Sequence, residues 1–127
     1  MTKMRAIAVV CLTTLGFGGC AVTSQDGQRM RLKSDAYADY VERVFRLQSE
    51  VSTELAFLLA DEDPGSLRYP QLADADDAVW SACLGINELA AEHQSGDRPA
   101  GPGALKRARG VPECERAASE ASDLLTE

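Results

Sequence analysis

Residues 83–114 read CLGINELAAEHQSGDRPAGPGALKRARGVPEC, a stretch that begins and ends on a cysteine. Its middle, SGDRPAGPG over 95–103, is a loop by composition, with two prolines and three glycines between apolar-periodic flanks. In an antiparallel pair of helices, facing positions have residue numbers of constant sum. The midpoint of Cys83 and Cys114 falls between Arg98 and Pro99, inside that loop. A helix that begins near Ala104 therefore brings Cys114 back to the height of Cys83. Both cysteines also lie on apolar stripes. Leu72, Ala75, Val79, Cys83, Ile86 and Ala90 form one, with Trp80 and Leu89 beside it, and Cys114, Ala118, Ala121 and Leu125 form the other. Loop position and stripe phase thus agree in placing the two sulfurs together.

Working outward, helix B runs from about Pro70, a residue suited to the first helical position, to about His93. Gly85 interrupts it and costs helix propensity, which points to a close approach of a neighbouring helix. Upstream, Tyr37, Tyr40, Val44, Leu47, Val51, Leu55 and Leu58 recur every three or four residues, with Val41, Phe45 and Leu59 widening the stripe. This is helix A, from about Ser34 to Ala60, with Ser34 as N-cap and Asp63-Pro64-Gly65 as its stop. So broad a stripe suits a bundle helix with two neighbours. The constant-sum rule at the A–B turn sets Cys83 opposite Gln48. In helix C, Pro112 either opens the helix or bends a longer one that starts near Ala104, and the cysteine heights favour the longer form. The expected fold is all-α: a small antiparallel three-helix bundle, up-down-up, its third helix bent near Pro112 and joined to the second through cysteine. No stretch carries the two-residue alternation of a strand.

The N-terminus is of another kind. Lys3 and Arg5 precede an apolar run from Ala6 to Phe17, too short to span a bilayer, and Gly18 and Gly19 precede Cys20. This layout resembles a bacterial lipoprotein signal, with Phe17 standing where that family usually has Leu. The resemblance implies cleavage before Cys20, acylation of Cys20 and a mature chain held at the periplasmic face of a membrane. Ala21, in place of the Asp that retains such proteins at the inner membrane of diderm bacteria, implies the outer membrane. Residues 1–19 are then a signal peptide, 20–33 a lipidated N-terminus and polar tether, and 34–127 the helical domain. Arg29, Arg31 and Lys33 make the tether locally basic, either a solvated linker or an attraction for anionic headgroups.

The same reading decides the cysteines. Cys11 leaves with the signal and Cys20 takes the lipid, so Cys83 and Cys114 remain in an oxidising compartment, where one disulfide is expected. It closes a loop of about 30 residues, worth roughly 3 kcal/mol on the chain-entropy model.

Composition narrows the function. The 127-residue chain carries a formal charge of −7, which becomes −9 once Lys3 and Arg5 are removed. Such a balance opposes nucleic-acid binding, which needs a basic face. There is one histidine, His93, at the expected end of helix B. Nucleophile motifs, phosphate loops and zinc spacings are absent from the sequence, so neither catalysis nor a cofactor is expected. Acidic residues gather at the A–B turn: Asp61, Glu62 and Asp63, then Asp74, Asp76 and Asp77. Of these, Asp61, Asp63, Asp74 and Asp77 are weak candidates for a calcium site without a calcium-loop motif. Arg98, Lys106, Arg107 and Arg109 gather at the B–C end, which the tether shares. The domain is thus expected to be dipolar, its basic end toward the membrane. Tyr69 and Trp80, nearer the acidic end, are candidates for a partner face, with core packing the competing role for Trp80. A helical lipoprotein with one disulfide is similar in outline to secretion pilotins, which escort a secretin to the outer membrane. The expected function is a non-enzymatic adaptor for another envelope protein. An ion- or small-molecule-binding protein using the acidic end, or an inhibitor of a periplasmic enzyme, are the alternatives.

Overall fold

The computed structural model describes residues 20–96 and 102–127. The signal expected over 1–19 and the loop residue Arg98 lie outside the described residues. The chain forms β1 (Ala21–Thr23), β2 (Arg29–Arg31), α1 (Asp35–Asp61), α2 (Tyr69–Gln94) and α3 (Pro102–Leu125). The two strands make a small sheet, and each helix packs against the other two.

Capping chemistry sets the helix ends. Ser34 is extended, its hydroxyl accepts the Tyr37 N–H at 3.2 Å, and the same hydroxyl donates to the Arg31 carbonyl at 2.7 Å. One side chain therefore starts α1 and fastens it to β2. At the far end the Glu62 N–H bonds the Leu58 carbonyl. The Asp63 carboxylate then accepts the Gly65 N–H at 2.9 Å, turning the chain, and the Ser66 hydroxyl accepts the Tyr69 N–H at 3.1 Å to start α2.

Cys83 and Cys114 form a disulfide, with Cα atoms 4.6 Å apart. Around it close Tyr40, Val44, Val51 and Leu55 of α1, Leu72, Val79 and Ile86 of α2, and Ala108, Val111, Ala117 and Ala121 of α3. The bare Gly85 on α2 lets the α3 backbone come close: a Cβ placed there would stand 3.4 Å from the Arg107 Cα. The helix α3 begins at Pro102 and continues through Pro112, so the longer form holds and the alternative start at Pro112 does not. Gln48, the position set opposite Cys83 by the height rule, is buried although polar. Its amide donates weakly to Ser52 at 3.4 Å, and its Oε1 has no partner among the described residues.

The sequence expectation fails at residues 20–33. In place of a strandless tether there is an antiparallel hairpin, in the register Ala21↔Arg31, Val22↔Met30 and Thr23↔Arg29. Val22 and Met30 are 4% and 3% exposed and belong to the core. The turn is closed by the Ser24 N–H to the Gln28 carbonyl, by Gly27 at φ 86°, and by the Ser24 hydroxyl bonded to the Asp26 carboxylate. That bond holds the Asp26 carboxyl below its ordinary pKa. Strand β1 packs on α3 and β2 on α1. Each strand offers one inward side chain, too few to register as a period.

Candidate functional site: exposed apolar side chains on a latched bundle

The phase of α2 is fixed by Leu72, Val79, Cys83 and Ile86, all fully buried. One residue further along a helix is a rotation of about 100°, which turns Trp80 and Leu84 outward from Val79 and Cys83. Trp80 is 64% and Leu84 46% exposed, and they stand one turn apart on one face. Core packing of Trp80 is thereby excluded. Tyr69 is half-buried in the first turn of α2, next to Leu67, which is 91% exposed. On α1, Phe57 is 72% exposed and lines a shallow open groove with Ser49, Glu50, Thr53, Glu54 and Leu58. Phe57, Leu67 and Leu84 were not singled out by the sequence. The available signal was negative: Phe57 and Leu84 are large apolar residues with no place in the stripes of their helices, and Leu67 lies in the turn between α1 and α2. Scattered exposed apolar residues are ordinary, but a tryptophan with an aliphatic neighbour one turn away has the makings of an interface anchor.

The hairpin is latched by polar contacts far apart in the chain. The Glu115 carboxylate accepts the Tyr40 hydroxyl at 2.7 Å and the Gln25 N–H at 3.0 Å, and the Gln25 side-chain amide donates to the Pro112 carbonyl at 3.0 Å. One carboxylate thus ties α1, α3 and the hairpin turn together. Burial first, and then the bond to Glu115, push the Tyr40 hydroxyl far above its ordinary pKa, so it stays a donor. The Arg43 guanidinium lies 5.4 Å from the Tyr40 ring centroid. Burial also raises the Tyr37 hydroxyl, which has no hydrogen-bond partner among the described residues.

The remaining expected site residues are placed as follows. Asp61, Asp63, Asp74 and Asp77 are exposed, and no group of three His, Cys, Asp or Glu side chains able to hold a metal exists among the described residues. Cys83 and Cys114 are fully buried. Cys20 is an exposed free thiol beside the hairpin base, where its carbonyl accepts the Leu32 N–H at 3.2 Å. Arg107 is engaged by Glu92 at 3.0 Å, while Lys106 and Arg109 are exposed. Among the described helices none is long and apolar enough to cross a membrane. Compared with family models, with curated proteins and with solved structures, the chain matches none.

Proposed function

We propose that the chain is a lipoprotein, cleaved before Cys20, acylated there and held at the periplasmic face of the outer membrane. Its helices, running up, down and up, with the third bent at Pro112, serve as a non-catalytic adaptor for another envelope protein. The observation that carries this reading is the outward pair Trp80 and Leu84 on α2, a large apolar surface turned away from a core that is complete without it. Anchoring makes weak contacts sufficient: a partner in the same membrane is held at high effective concentration, so a single aromatic anchor with an aliphatic neighbour can select it. The disulfide supports the compartment, since such bonds persist where the medium is oxidising. Acidic surface on the rest of the domain keeps it soluble.

The test is photocrosslinking in cells from probes at Trp80, Leu84 and Tyr69, with mass spectrometry of the adducts. One dominant envelope protein is expected from probes at 80 and 84, and its capture is lost when Cys20→Ser releases the chain from the membrane. Absence of any discrete adduct, with the protein intact at the membrane, overturns the adaptor reading. An adduct that survives Cys20→Ser unchanged overturns the part played by the anchor.

A further inference from the structure

We infer that the outward face of the β1–β2 hairpin is a docking surface for anionic phospholipid headgroups, so that the chain meets its membrane through a folded basic face as well as through Cys20. The inference rests on the lipid-anchor reading of Cys20 for its setting, and on the hairpin for its geometry.

Side chains alternate along a strand, and Met30 points into the core. Arg29 and Arg31 therefore share the opposite face, and both are exposed. The register sets Thr23 beside Arg29 and Ala21 beside Arg31, so the strand positions across from the two guanidiniums carry small uncharged side chains. Lys33 is exposed two residues further on. None of the three cations has an ion-pair partner among the described residues. The one acid in residues 20–33 is Asp26, at the far turn and bonded to the Ser24 hydroxyl; Asp35 follows in the first turn of α1. The segment thus carries three cations against one acid, within a chain of net charge −7.

Folding changes what these charges can do. On a flexible tether they would be spread through a coil about an acyl chain. On the hairpin, Arg31 lies directly across the ladder from Ala21, the neighbour of Cys20, so the lipidated residue and the guanidinium lie at the same end of the hairpin. A headgroup layer entered by the Cys20 acyl chains would then lie within one Debye length of Arg29, Arg31 and Lys33. Each such cation near an anionic surface favours contact about fivefold, and three together about a hundredfold. Because the hairpin packs on α1 and α3, this docking leaves the Trp80 face of α2 open to a partner.

The test uses residues 20–127, coupled through the Cys20 thiol to a maleimide-headgroup lipid in vesicles. Trp80 is the single tryptophan of the chain, so energy transfer from it to a dansyl-headgroup lipid reports its height. Docking fixes which side of the domain faces the bilayer, so transfer is expected to differ between vesicles half phosphatidylglycerol and pure phosphatidylcholine, and to return to the neutral value in about 0.5 M salt. The variant Arg29→Glu with Arg31→Glu is expected to abolish the difference. A milder set, Arg29→Gln, Arg31→Gln and Lys33→Gln, gives the same readout should charge reversal disturb the fold, which circular dichroism and melting check. Equal transfer on the two lipid compositions, or a difference unaltered in both variants, overturns the docking face. Since the tether is made chemically, the result does not depend on acylation in cells. The mass of the protein recovered from membranes tests acylation separately, and an unmodified Cys20 there sinks the anchor reading alone.

Discussion

Met30→Ala separates a docked hairpin from a solvated tether. On a tether the substitution is a surface change, worth within about 0.5 kcal/mol of nothing. In the structure Met30 is 3% exposed, paired with Val22 and packed into the core. Truncating a buried methionine to alanine costs about 2–5 kcal/mol when the site cannot collapse. Here the hairpin can also lift away, so the loss cannot exceed the free energy by which it docks. That docking rests on two buried apolar side chains, Val22 and Met30, and on the Gln25 contacts to Glu115 and Pro112. Each fully buried side chain contributes about 1.5–3 kcal/mol, set against the entropy of ordering the segment. A net loss of about 2 kcal/mol for Met30→Ala follows. With a urea slope of about 1–2 kcal/mol/M for a domain of this size, the midpoint should fall by roughly 1–2 M. The assay is urea unfolding of residues 20–127 with the disulfide intact, followed through Trp80, which is on α2 and outside the hairpin's packing partners, so that it reports the whole domain. Arg29→Ala, on the outward face of the same strand, is the control and should leave the midpoint in place. Equal midpoints for Met30→Ala and Arg29→Ala would refute the docked hairpin and restore the tether.

Three other outcomes follow from the same geometry. Replacing both Cys83 and Cys114 by alanine removes a bond across a sequence separation of 31 and should cost about 3 kcal/mol, lowering Tm by roughly 10 °C or more in scanning calorimetry; a shift under about 3 °C would mean that the loop is short-circuited by other contacts. Stability should fall as pH rises above about 10, because the unfolded chain then ionises its tyrosines while the folded state keeps Tyr37 and Tyr40 protonated. Tyr40→Phe should flatten that fall, and an unchanged slope would contradict the raised Tyr40. Gly110→Ala places a methyl group in open space within α3 and should stabilise by about 1 kcal/mol in urea, whereas Gly85→Leu should destabilise, since beyond an ordinary 3.4 Å contact at Cβ its branches meet the Arg107 backbone.

How much of the molecule could be read from its sequence depended on how many residues carried each signal. The pairing of Cys83 with Cys114 was legible because a loop midpoint and two stripe phases, each spread over more than ten residues, constrain the same two positions. The start of α1 was legible because Ser34 and Asp35 speak through local capping chemistry. The hairpin was not, since its fold depends on one inward residue per strand and on Gln25 reaching Glu115 and Pro112 across separations of 90 and 87 residues. No local window holds both halves of such a contact, and the polar residues between them read as a linker. Trp80 is an intermediate case. The stripe through Val79 and Cys83 already implied that position 80 points away from the core, but aromatic hydrophobicity argued the other way, and helix phase decides it. Phase is set by the backbone, which a side chain cannot renegotiate without moving every other residue of its stripe, whereas a large apolar surface can be left in water at modest cost or covered by another molecule. Wherever the two conflict in a short domain whose core is otherwise complete, the apolar residue that loses is the first place to look for a partner.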